Sequence, residues 1–190
     1  MRKTLLTTSA FALLPTAAFA HPSLTPHVDG FLAGISHPLT GLDHLLAMLS
    51  VGLWASQKGG RAMWLWPAAF VTAMVAGGVM GMMGVGLPLV EPAIIASVLV
   101  LGVVIAATLS LPTVVGVAMI AFFGLFHGNA HGLEAPIGGA GLYALGFVVS
   151  TITLHALGLA IGLSAQKERP VLVRALAVLI TASGVVMALA

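Results

Sequence analysis

Long apolar stretches separated by short polar connections dominate the chain, at about residues 39–56, 62–83, 92–110, 113–127, 138–164 and 170–189. A transmembrane helix needs roughly 20 apolar residues, within a range of about 17–25. The fourth stretch is short unless it continues through the polar residues after His127, and the fifth is long enough to require tilt or an interfacial start. The pattern predicts an all-α integral membrane protein, a bundle of six transmembrane helices forming one domain over residues 21–190. Residues 1–20 read as a cleaved secretory signal: Arg2 and Lys3, an apolar run from Leu5 to Leu14 too short to span, Pro15, and Ala18-Phe19-Ala20 as the cleavage site. A retained first helix is the competing reading, and the length of the run and Pro15 weigh against it. The mature chain then begins at His21. Residues up to about Ser36, with Pro22, Pro26, Asp29 and Gly30, read as an external lead-in.

Composition supports this class. The chain is 59% hydrophobic and 6% charged, against about 25% charged in soluble domains, and its mean hydropathy is +1.14. Absence of cysteine excludes disulfides and thiolate metal sites. The pI near 9.5 rests on seven Lys and Arg, too few to indicate nucleic acid. Their positions instead indicate topology. With an outside N-terminus, Lys58 and Arg61 fall in one cytoplasmic loop, and Lys167, Arg169 and Arg174 fall at another. Both mature termini are then periplasmic, in a bacterial inner membrane.

The same topology gathers nearly all the candidate ligands on the outer side, with His155 deeper in the fifth helix. One motif is His37-Pro38-Leu39-Thr40-Gly41-Leu42-Asp43-His44, and the other is His127-Gly128-Asn129-Ala130-His131-Gly132-Leu133-Glu134. Charged groups at membrane depth cost about 2.5–3.5 kcal/mol on insertion scales, so they generally have a task. Nitrogen and carboxylate donors without thiolates suit nickel, cobalt or zinc. Pro38 fits the first turn of a helix. His37 and His44 share a helical face, but seven residues rise about 10 Å, so one ion needs a bend between them or two successive sites. Asp43 is either a ligand or a group that orients a histidine. His127, His131 and Glu134 share one face of a continuous helix, a chelating arrangement that Gly128 and Gly132 would interrupt if they broke it. The bland alternatives are a polar network pinning helices for the first motif and an interfacial loop for the second. Glu91, before Pro92, suits a helix N-terminus electrostatically, and is otherwise a possible ligand or relay. His155 is one imidazole in an apolar span, either packed or a relay. His21, with its free amine after cleavage, is a further chelation candidate. The nine methionines follow no ligand spacing and read as core.

The first motif, followed by Met48, resembles the HPxxGxDH signature of the HupE/UreJ nickel permeases. Phe126 to Glu134 resembles that family's second signature, FHGxAHGxE. The likeness extends over essentially the whole chain. It implies uptake of Ni2+, with Co2+ as a second candidate, to supply hydrogenase or urease metallocentre assembly. The ion is the transported substrate, and no permanently bound cofactor is expected. The chain has no G-x-x-x-x-G-K-[ST] motif, so transport is secondary rather than driven by ATP hydrolysis in this chain. The alternative of another class is an intramembrane His/Glu metalloenzyme, disfavoured because no H-E-x-x-H is present. A haem-binding membrane subunit is a third.

Overall fold

Seven α-helices account for nearly all of the described residues, which in this computed structural model are 30–136, 138–168 and 170–190. The signal reading and His21 lie outside them. The helices are α1 (Gly30–Thr40), α2 (Leu42–Lys58), α3 (Ala62–Met82), α4 (Val90–Ala106), α5 (Thr113–Glu134), α6 (Ala140–Glu168) and α7 (Pro170–Leu189). Helices α3, α5, α6 and α7 are each long and apolar enough to cross a membrane. Together α1 and α2 also qualify, as one span bent by 81°. Helix α4 is apolar but only 17 residues long. The fold is therefore an all-helical, multi-pass membrane bundle with four or five candidate spans by length.

Two expectations change. Residues 30–36 are not an external lead-in but the first turns of α1. Pro38 is not at a first turn either: it lies near the end of α1, and the helix breaks three residues later at Gly41. The reason is tertiary. The Phe31–Ser36 segment packs on α6 through close backbone contact, so a helix already exists when Pro38 is reached.

Large side chains face outward where lipid would meet them, including Val114, Val171, Leu179 and Val186 at 63–78% exposure. Inside, Trp54 and Trp66 are fully buried with ring centroids 4.1 Å apart. Their indole N–H groups donate to the carbonyls of Leu109 and Thr113, at 3.4 and 3.0 Å, so neither is buried unpaired. These contacts lie at the end of α2 that carries Lys58. There Lys58 and Arg174 line one cleft with Thr108 and Ser110, so these two basic residues meet at one end of the bundle.

Glycines set the helix spacing. A Cβ on Gly77, Gly128 or Gly132 would strike backbone carbonyls of Leu125, Met74 and Gly78, which places α3 directly against α5. Helix α6 is approached in the same way by both halves of the bent pair. Gly34 sits on the Tyr143 carbonyl and Gly146 on that of Phe31, while Gly52 sits on the His155 carbonyl and Gly158 on that of Leu49. Such backbone-to-backbone approach is how helices associate where no water-driven burial helps.

Candidate metal centre

The break at Gly41 solves the reach problem between His37 and His44. It ends α1 just after His37 and starts α2 just before His44, so their rings come within 6.2 Å despite the seven-residue separation. Asp43 then acts on its neighbour. Its Oδ1 accepts the His44 backbone N–H at 2.7 Å and lies 2.7 Å from His44 Nδ1. The carboxylate therefore accepts from Nδ1–H and leaves the lone pair on Nε2, which is buried without a protein partner among the described residues. This is the carboxylate–histidine arrangement that orients a metal ligand. Space here is tight, since a Cβ on Gly41 would lie 3.0 Å from Asp43 Oδ1 and 3.2 Å from His44 Nδ1.

Helix α5 runs unbroken through Gly128 and Gly132 to Glu134. The fourth apolar stretch thus does continue through its polar motif, and the glycines serve close packing instead of ending the helix. His127 is wholly buried, and its Nε2 lies 3.0 Å from Ser97 Oγ on α4. Ser97 spends its own proton on the Ile94 carbonyl at 2.6 Å, so it accepts from His127 Nε2–H. That fixes the tautomer and leaves His127 Nδ1 as a free lone pair, again buried without a partner.

One turn further, the His131 ring lies 4.5 Å from His44, 4.6 Å from His37 and 3.9 Å from Phe147. Both of its nitrogens are buried with no hydrogen bond among the described residues. Glu134 Oε2 stands 3.4 Å from His37 Nε2 and 3.9 Å from His131 Nδ1. One donor atom each from His37, His131 and Glu134 falls within 4.8 Å of the others. Ligands on opposite sides of one ion at 2.0–2.1 Å would be about 4 Å apart, so the trio needs little contraction to share one. The trio pairs His131 and Glu134 with His37 across helices, whereas His127 turns to Ser97 and to His44, whose ring is 4.7 Å away.

The remaining candidates lie apart from this trio. Glu91 is exposed in the first turn of α4. His155 is buried one helix away, its Nδ1–H donating to the Met48 carbonyl at 2.8 Å. Three contributors escaped sequence reasoning. Ser97 and Phe147 carry no local motif. Asn129 was read only as part of a motif, yet its amide accepts from Leu87 N–H at 2.8 Å and donates to the Val85 carbonyl at 2.8 Å, tying the α3–α4 connection to α5 beside the site. Burial of an asparagine inside a membrane helix was the available signal.

Fold and site together define a multi-pass membrane helical bundle with a histidine–carboxylate cluster embedded in it. The profile of the family described as HupE / UreJ protein matches residues 9–187, and the chain belongs to that family. It is 47% identical over 161 residues to Protein HupE of Rhizobium leguminosarum bv. viciae, covering 84% of this chain and 83% of that protein. No solved structure matches.

Proposed function

We propose that the chain is a nickel permease, a secondary importer that also accepts cobalt and feeds hydrogenase or urease metallocentre assembly. Family membership supports the transport class, and one structural observation carries the metal: four imidazoles and two carboxylates from α1, α2 and α5 converge at one end of an apolar bundle, running from exposed Glu134 through half-buried His37 and Asp43 to buried His44, His127 and His131. Among the described residues, buried nitrogens of His44, His127 and His131 have no protein partner there. Leaving such groups unmet is costly, and a divalent cation passing between the rings takes one lone pair from each in turn.

In this reading α4 completes six spans, both mature termini are periplasmic, and the cluster faces the periplasm in the inner membrane. An arriving cation exchanges part of its water shell for His37, His131 and Glu134. Glu134 offsets its charge, Asp43 holds His44 ready, and His44 and His127 receive the ion next as neutral imidazoles. Binding must be strong enough for entry and weak enough for exit. Cu2+ outranks Ni2+ at such donors, so selectivity comes from geometry and availability.

The test is 63Ni uptake by cells expressing the chain, with Co2+, Zn2+ and Cu2+ as competitors. His131→Ala and His44→Ala should each remove most uptake at matched membrane level. Normal uptake by both variants refutes the assignment. A purified chain that performs metal-dependent hydrolysis while accumulating no ion in proteoliposomes favours the metalloenzyme.

A further inference from the structure

Beyond the outer cluster, toward the basic end, a second group of donor atoms meets inside the bundle. Met48 follows His44 by one turn on α2. The Thr151 hydroxyl of α6 lies 3.3 Å from Met48 Sδ and 3.6 Å from Met74 Sδ, which α3 supplies. Met48 and Thr151 are 0% exposed, and Met74 and His155 are 2%. One hydroxyl has one proton, so it cannot donate to both sulfurs. Two thioethers and an oxygen thus gather where hydrogen bonding explains at most one of the contacts. One turn along α6 from Thr151, His155 Nδ1–H donates to the Met48 carbonyl, so Nε2 carries the lone pair, and that nitrogen is buried without a partner among the described residues. Phe70 lies between the two levels, its ring 5.4 Å from His127 and 5.0 Å from His155.

Methionine is a common filler of irregular core space. Filling alone does not account for a hydroxyl held against two sulfurs one helical turn from a buried imidazole that is itself bonded to the Met48 carbonyl. We propose that Met48, Met74, Thr151 and His155 form a second, uncharged transfer site for the cation, an inference that rests on the permease reading. Its donors are two thioether sulfurs, one hydroxyl and one neutral imidazole. Thioethers are soft ligands and no carboxylate is present to offset charge, so an ion sits here less tightly than at the outer cluster. A weak inner site next to a stronger outer one lets an ion leave its capture site without returning to water.

Because the chain contains no cysteine, any sulfur bound to nickel must be methionine. The experiment is nickel K-edge X-ray absorption on the full chain in lipid nanodiscs, with 63Ni equilibrium dialysis and proteoliposome uptake on the same preparations. A sulfur scatterer should appear in the wild type at two equivalents of Ni2+, persist in His131→Ala, and vanish in Met48→Leu/Met74→Leu. The double variant keeps side-chain volume; it should bind one ion fewer and transport at least about tenfold more slowly, a cost typical of weakening a metal site. Thr151→Val should act in the same direction. Absence of sulfur scattering at every loading, or wild-type uptake by the double variant, overturns the second site and leaves the permease reading standing. A wild-type chain that neither binds nor transports nickel overturns both.

Discussion

Replacing Gly132 with alanine sets two effects of opposite sign against each other. Gly132 lies inside α5, where helix propensity alone favours alanine by about 0.8–1.0 kcal/mol. Packing opposes the change. The new Cβ would meet the Gly78 carbonyl, with Gly78 C and Gly81 Cα both 2.9 Å away. Ordinary contact begins at 3.4 Å, and every obstructing atom is backbone, so α3 and α5 must part by at least about half an ångström. Overpacking costs typically ~1–3 kcal/mol, which outweighs the propensity gain and leaves a net loss of about 1 kcal/mol. His131 precedes the substituted residue and Glu134 follows it by two, so both move relative to the rest of the cluster. Displacing supporting structure costs roughly 10–100-fold in metal affinity or activity, and initial 63Ni uptake should fall by that order. Gly141→Ala is the control: a Cβ there meets nothing within 4 Å, and neither stability nor uptake should drop. The assays are thermal unfolding in detergent and uptake at matched protein level. If Gly132→Ala raises the unfolding temperature and keeps full uptake, the close packing of α3 on α5 does not position the cluster.

Three further outcomes are expected. Ser97→Ala removes the acceptor for His127 Nε2–H, at about 1–3 kcal/mol; uptake should fall about tenfold and recover in Ser97→Thr, and an unchanged rate would show that the tautomer of His127 does not matter. Acidification should raise the apparent KM for nickel, because protons compete with the metal for the imidazole lone pairs; a KM that is the same at every pH where the protein stays folded, with the membrane potential clamped, would exclude histidine capture. A reporter active only in the periplasm should work after Ala190 and one active only in the cytoplasm should work in the Lys58–Arg61 loop; the reverse pattern would place the histidine cluster on the cytoplasmic side and undo the import reading.

The parts of this molecule that follow from local pattern were open to sequence reading. Apolar stretches located α3, α5, α6 and α7 to within a few residues, apart from the end of α5. The two polar motifs and their membership of one family were equally plain. What stayed hidden depends on contacts between distant residues. The 30–36 segment reads as part of a mixed external lead-in because its helix is held by backbone contact with Tyr143 on α6. The approach of His37 to Glu134 spans 97 positions of chain and a break at Gly41. Met48 and Met74 lie 26 residues apart on separate helices, so no spacing rule reveals that both sulfurs lie against one hydroxyl.

The glycine contacts also determine where this bundle can move. Helices α1, α2 and α6 are locked to one another by backbone touching backbone, and α3 is locked to α5 in the same way. Sliding within either set drives a carbonyl into a neighbour, so each behaves as a solid block. The donors are divided between the blocks. His37, Asp43, His44, Met48, Thr151 and His155 ride on the first, and Met74, His127, His131 and Glu134 on the second. On the permease reading, a cation shared by the outer trio would bolt one block to the other. Rocking the blocks apart at that end would withdraw His37 from His131 and Glu134 together, so the same small rotation that opened a gap would also loosen the grip on the ion.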